Sequence, residues 1–214
     1  MKRILAISAL VVTVMTGLSS CVIRHDDYYD VQPTNTYQYH FSDEFNSDYN
    51  RWSFQDNANK ASVYISNGQL HYDYHPYDNG TNTVAVTSGM PVSTGRYDIQ
   101  TRFRSDNAMA LAWGVSSSDY GYSFFIDDRG YFAVYDEGTA SIKAQALIDW
   151  TQNGAIRQGW NDVELQSTKS GSWIGYINGT QVFQIPARTQ YGNQVGYMVL
   201  ANTSGDADFI DMAW

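Results

Sequence analysis

Three glutamates, Glu44, Glu137 and Glu164, stand far apart in this chain. Two carboxyl groups about 5 Å apart can cleave a glycosidic bond, one as nucleophile and one as proton donor. No two of these glutamates share a strand-length segment. The densest run of acids, Asp206-Ala207-Asp208-Phe209-Ile210-Asp211, lies at the very C-terminus and reads as a loop and a final edge strand. Signatures of a nucleophile elbow, a Walker loop, a dinucleotide fingerprint and a His-Glu-x-x-His helix are absent. His71, Asp73 and His75 fall on one face of a predicted strand. The outer two stand roughly 13 Å apart there, so all three cannot ligate one ion. Two of them can, with help from elsewhere, but a solvated face is the simpler reading.

A binding face is the remaining chemistry. Phe103, Phe124, Ile126, Phe132 and Val134 take one strand parity and claim the core. Their neighbours then face outward, or into the groove of a curved sheet. Those neighbours include Arg102, Arg104, Phe125, Asp127, Tyr131 and Tyr135, with Gln100, Ala110 and Ala112. Alanines can floor a groove, Arg and Asp direct hydrogen bonds, and tyrosine rings stack on sugar faces. The set suits a glycan better than a lipid or an apolar ligand. The plain alternative is ordinary surface, since Tyr and Phe favour strands and Arg102 can pair with Asp127 across the sheet. Exposed tyrosine also suits a protein-binding surface. Seventeen tyrosines exceed what a core of this size needs.

Strands must position these groups. From Tyr37 to Trp214 the chain alternates with period two between turn signals. Asn67-Gly68 joins Ser62–Ile65 to Gln69–Tyr74, and Asn178-Gly179 joins Trp173–Ile177 to Thr180–Ile185. Both are two-residue hairpin signals. Asp128-Arg129-Gly130 marks a third turn. Only Thr139 to Ile156 breaks the pattern, as a short helical turn around Ala144–Ile148 or a loop over one edge. The fold class is all-β, and the strand number points to a two-sheet jelly-roll sandwich.

Several motifs carry a resemblance. Phe41-Ser42-Asp43-Glu44-Phe45-Asn46 with Trp52, the Asn67-Gly68-Gln69-Leu70 hairpin and Gly95-Arg96-Tyr97-Asp98-Ile99 resemble concanavalin A-like lectin/glucanase domains. Trp160-Asn161-Asp162-Val163 followed by Tyr176-Ile177-Asn178-Gly179 is similar to the laminin G-like pattern. The resemblance covers nearly all of residues 37–214 and speaks to the fold more than to any activity. It implies a structural Ca²⁺ between the first and last strands, with Asp208 and the Asp43 region as its carboxylate sides, and oxygen ligands suit that ion. A glucanase would carry Glu-x-Asp-x-x-Glu on a mid-chain strand. This chain does not, so no catalytic residue is assigned.

The N-terminus adds an address. Lys2 and Arg3 precede an apolar run, Ile4 to Leu18, that is short for a membrane span. Leu18-Ser19-Ser20-Cys21 then resembles the lipobox of a bacterial lipoprotein signal peptide, and Cys21 is the only cysteine. The resemblance implies cleavage before Cys21 and lipidation of it, hence a signal peptide at 1–20, a lipidated tether at 21–36 and a domain at 37–214. An ordinary secretory signal with an incidental cysteine is the alternative. Val22 is not the Asp of inner-membrane retention, which favours the outer membrane. Asp26, Asp27 and Asp30 loosely match a surface-export tag. Losing Lys2 and Arg3 takes the formal charge from −9 to −11. A protein so acidic is a poor partner for nucleic acid or anionic lipid. The sequence thus reads as a lipid-anchored cell-envelope protein with a non-catalytic carbohydrate-binding or adhesive domain. A hydrolase with an unrecognised acid pair and a structural or protein-interaction lipoprotein are the alternatives.

Overall fold

A computed structural model describes residues 37–77, 79–92 and 95–214. The signal-peptide, Cys21 and tether expectations therefore lie outside the described residues. Strands β1 (His40–Asp43), β2 (Phe54–Asp56), β3 (Ala61–Ser66), β4 (Gln69–Tyr74) and β5 (Thr81–Thr87) come first. They are followed by β6 (Tyr97–Ser105), β7 (Ala108–Val115), β8 (Tyr122–Asp127), β9 (Tyr131–Asp136) and β10 (Gln145–Gln152). The last five are β11 (Asn161–Ser167), β12 (Ser172–Ile177), β13 (Thr180–Pro186), β14 (Gln194–Leu200) and β15 (Thr203–Ala213).

They form two antiparallel sheets packed as a sandwich, with no helix among the described residues. One sheet has nine strands in the order β13-β12-β11-β6-β15-β4-β3-β2, with β1 beside the second half of β15. The other has six in the order β10-β9-β8-β7-β14-β5. Between them lie Trp52, Trp113, Trp173, Tyr72, Tyr97, Tyr122 and Tyr197, all fully buried. Phe103, Phe124, Ile126, Phe132 and Val134 occupy this core as their parity requires. Asn67 and Asn178 have φ of 54° and 51°, and the glycines after them 72° and 77°. Successive left-handed residues are what the twisted two-residue hairpin needs.

Two expectations are corrected. The segment 139–156 contains no helical turn. Its middle is edge strand β10, bulged twice against β9. The last strand, β15, is not an edge. It lies between β6 and β4, in the interior of the nine-stranded sheet.

Candidate functional site

The outward-facing residues named from parity divide between two surfaces. Phe125, Asp127, Tyr131 and Tyr135 lie on the outer face of the six-stranded sheet. Arg102 and Arg104 lie on the outer face of the nine-stranded one. The chain between β6 and β7 crosses from sheet to sheet, so strands adjacent in sequence are not neighbours in space. The structure therefore does not bring the six together.

On the six-stranded sheet the outer face closes upon itself. Ala108, Ala110, Ala112, Val115, Phe125, Ala133 and Met198 form a small buried cluster. Phe125 is 2% exposed and packs edge-on against Tyr135, with ring centres 6.2 Å apart, and against Trp150 of β10 at 5.9 Å. Asp127 ends β8 at the start of the turn to β9. Its carboxylate is inaccessible and accepts from Arg129 Nη2 at 2.6 Å, from Arg129 Nε at 2.9 Å and from the Tyr131 amide at 2.8 Å. It does not meet Arg102, whose partners are Asp208 at 3.7 Å and Asp162 at 3.8 Å.

The nine-stranded sheet carries a more open, polar site. Pairing places Tyr64 of β3 opposite His71 of β4, His71 opposite Asp206 of β15, and Asp206 opposite Arg104 of β6. One cross-strand row thus runs Tyr64–His71–Asp206–Arg104, and directly opposed side chains on one face are close enough to interact. Trp160, just before β11, extends it, with the Arg104 guanidinium 4.7 Å and that of Arg102 5.5 Å from its ring centre. Tyr64 is 45% exposed and stacks on His71 at 4.8 Å. Asp206 accepts from His71 Nδ1 at 2.7 Å and from Arg104 Nε and Nη2 at 2.8 Å each. A depression of about 310 Å³ opens along the row, lined also by Asp73, Asp106 and Ser204. His71 had suggested a metal ligand. His75 instead contacts the Ser204 hydroxyl at 3.2 Å. Tyr64, Trp160 and the His71–Asp206 contact escaped the sequence reading, because 135 residues separate that pair.

The glutamates do not assemble as a hydrolytic pair. Glu137 follows β9 of the six-stranded sheet, where the Ser123 hydroxyl donates to it and burial pushes its pKa up. Glu164 lies on β11 of the other sheet, also raised by burial. Its neighbouring strand offers Asp98, pushed up to about 7 by burial first and the Glu164 charge second.

The expected calcium ligands do not fit an ion. The Asp43 carboxylate already accepts from the Phe45 amide, Asn50 Nδ2 and Trp52 Nε1 at 2.7–2.8 Å. Asp208 faces the Arg102 guanidinium, whose charge opposes a cation. Among the described residues no group of three or more His, Cys, Asp or Glu converges on one point.

The sequence matches no protein-family model and no curated protein. Solved structures share the lectin-like β-sandwich fold. One is a GlcNAcα1-4Gal releasing endo-β-galactosidase from Clostridium perfringens, at TM-score 0.50 and 12% identity over 84% of this chain and 64% of that one. Carbohydrate-binding module CBM66 from Bacillus subtilis gives 0.46 at 10% identity over 73% and 87%. The botulinum neurotoxin type G receptor-binding domain gives 0.48 at 10% over 84% and 48%, so this chain spans less than half of that one.

Proposed function

We propose that this chain is a lipid-anchored cell-envelope protein whose β-sandwich binds a saccharide on the outer face of the nine-stranded sheet. The observation that carries this reading is the row Tyr64–His71–Asp206–Arg104–Trp160. Two rings flank a charge-assisted pair across an open depression. Rings stack on the apolar faces of pyranoses, while Arg, Asp and His orient hydroxyls. The sandwich that supports the row is shared with an endo-β-galactosidase, a saccharide-acting protein. The lipobox at Leu18–Cys21 and the absence of Asp after it support an outer-membrane anchor.

Affinity electrophoresis of the protein through gels containing soluble polysaccharides tests the site. Tyr64→Ala or Trp160→Ala should weaken binding about tenfold, since a stacked ring contributes about 1 kcal/mol or more. Tyr135→Ala, on the other sheet, should leave it unchanged. The reverse pattern moves the site to the six-stranded sheet, and retention on no polysaccharide overturns the reading.

A further inference from the structure

We propose that Ser66, His71 and Asp206 form a nucleophilic triad that removes ester-linked acyl groups from the saccharide held on this face. The proposal rests on the saccharide-binding reading and adds a reaction to it.

Ser66 Oγ lies 3.2 Å from His71 Nε2, and His71 Nδ1 lies 2.7 Å from Asp206 Oδ1. Nucleophile to base to orienting carboxylate is the order of contacts that activates a serine, and it is recognised by geometry rather than by sequence position. The tautomer follows from the partners. A carboxylate only accepts, so Nδ1 carries a hydrogen toward Asp206, and in the neutral ring Nε2 is the nitrogen that offers a lone pair to the Ser66 hydroxyl. The imidazole is held on three sides. Asp206 is pinned through its other oxygen by Arg104 Nε at 2.8 Å. The Tyr64 ring lies within 21° of parallel to the imidazole. The Asn67-Gly68 turn fixes Ser66 and His71 on adjoining strands.

The reaction balances without a further component. Ser66 Oγ attacks the acyl carbonyl carbon, and its proton passes to His71 Nε2. The ester C–O bond breaks, and the sugar oxygen leaves with that proton as a hydroxyl. Water then attacks the acyl-serine, giving a proton to Nε2. That proton returns to Ser66 as the carboxylic acid departs. During each step the protonated Nε2 can donate to the Ser66 carbonyl oxygen, also 3.2 Å away. Asn67 Nδ2, 3.5 Å from Ser66 Oγ, is the donor beside the nucleophile for charge on the carbonyl oxygen. His71 and Asp206 of the triad line the depression of about 310 Å³ that opens along this row, so the acyl group tested is the small acetyl ester common on plant polysaccharides.

The full chain is incubated with p-nitrophenyl acetate and with O-acetylated xylan, and acetate release is measured. A fluorophosphonate probe is applied in parallel and its site mapped by mass spectrometry. The expected result is acetate release, labelling at Ser66, and loss of both in Ser66→Ala with an unchanged melting curve. Asp206→Asn should lower release a hundredfold or more. Absence of wild-type release and labelling overturns the triad, as does release that persists in Ser66→Ala or a label on another residue. The two readings fail separately. Polysaccharide retention without release or label defeats the triad alone, whereas release without retention on any polysaccharide defeats the saccharide-binding reading.

Discussion

Asp98 sits on the outer face of β6 with 8% of its surface exposed, and its Oδ1 accepts no hydrogen bond among the described residues. Burial and then Glu164 push its pKa up to about 7, against the opposing contacts of Gln100 and Arg96. An unfolded aspartate titrates near 4. Between about pH 4 and pH 7 the unfolded chain has therefore lost a proton that the native chain keeps. Stability from this group is present below pH 4 and is lost as the pH rises through 7. Asp98→Asn should weaken that fall and stabilise the protein at pH 8 by on the order of 2–4 kcal/mol, raising the melting temperature there. Thermal melts from pH 4 to pH 8 check it, and a variant less stable than wild type at pH 8 refutes it. Nothing in the sequence marked Asp98. Alternation sent it outward correctly, but its burial depends on what covers the sheet. Arg102 shows the same limit. Its carboxylates, Asp162 and Asp208, come from β11 and from the bulge in β15.

At the scale of strands, Gly196 illustrates how closely the six-stranded sheet is drawn. It lies in β14 between Ala85 of β5 and Ala112 of β7. A Cβ there would stand 2.0 Å from the Val84 carbonyl oxygen, which is backbone and cannot rotate away. Gly196→Ala should cost about 2–3 kcal/mol by prising β14 from β5. Denaturant unfolding measures it, and an unchanged midpoint contradicts the prediction. Strand pattern was the most legible level in the sequence. Period two placed Phe124, Ile126, Phe132 and Val134 in the core, and Asn-Gly marked two hairpins. Sheet membership was illegible, because alternation says which side of a strand a residue takes and not which sheet holds the strand. The crossing between β6 and β7 therefore separated Arg102 and Arg104 from Tyr131 and Tyr135. Strand β10 was missed because its two bulges break the alternation. The interior place of β15 was missed because order in the chain does not fix order in a sheet. The His71–Asp206 contact depends on that placement.

Across the whole molecule, charge and the proposed lipid would make opposite contributions to location. The chain is acidic, at −9 overall and −11 once residues 1–20 are removed. Anionic lipid surfaces repel such a protein, so electrostatic adsorption cannot hold it at a membrane. No helix among the described residues is long and apolar enough to cross one. Attachment through Cys21 would instead depend on acyl chains. One chain gives marginal binding, and two or more give a stable anchor. The two sources of attachment respond differently to salt, because screening acts on charge and not on buried methylene groups. Wild-type protein should therefore stay with the membrane fraction after a wash in 1 M salt. Cys21→Ser should appear in the soluble fraction at low and high salt alike, still folded and still retained on polysaccharide, since Cys21 precedes the sandwich at 37–214. Sedimentation of membranes followed by immunoblotting reads both results, and in a density gradient the wild type should band with the outer membrane. A Cys21→Ser protein that remains with salt-washed membranes would show that something other than the lipid holds it there.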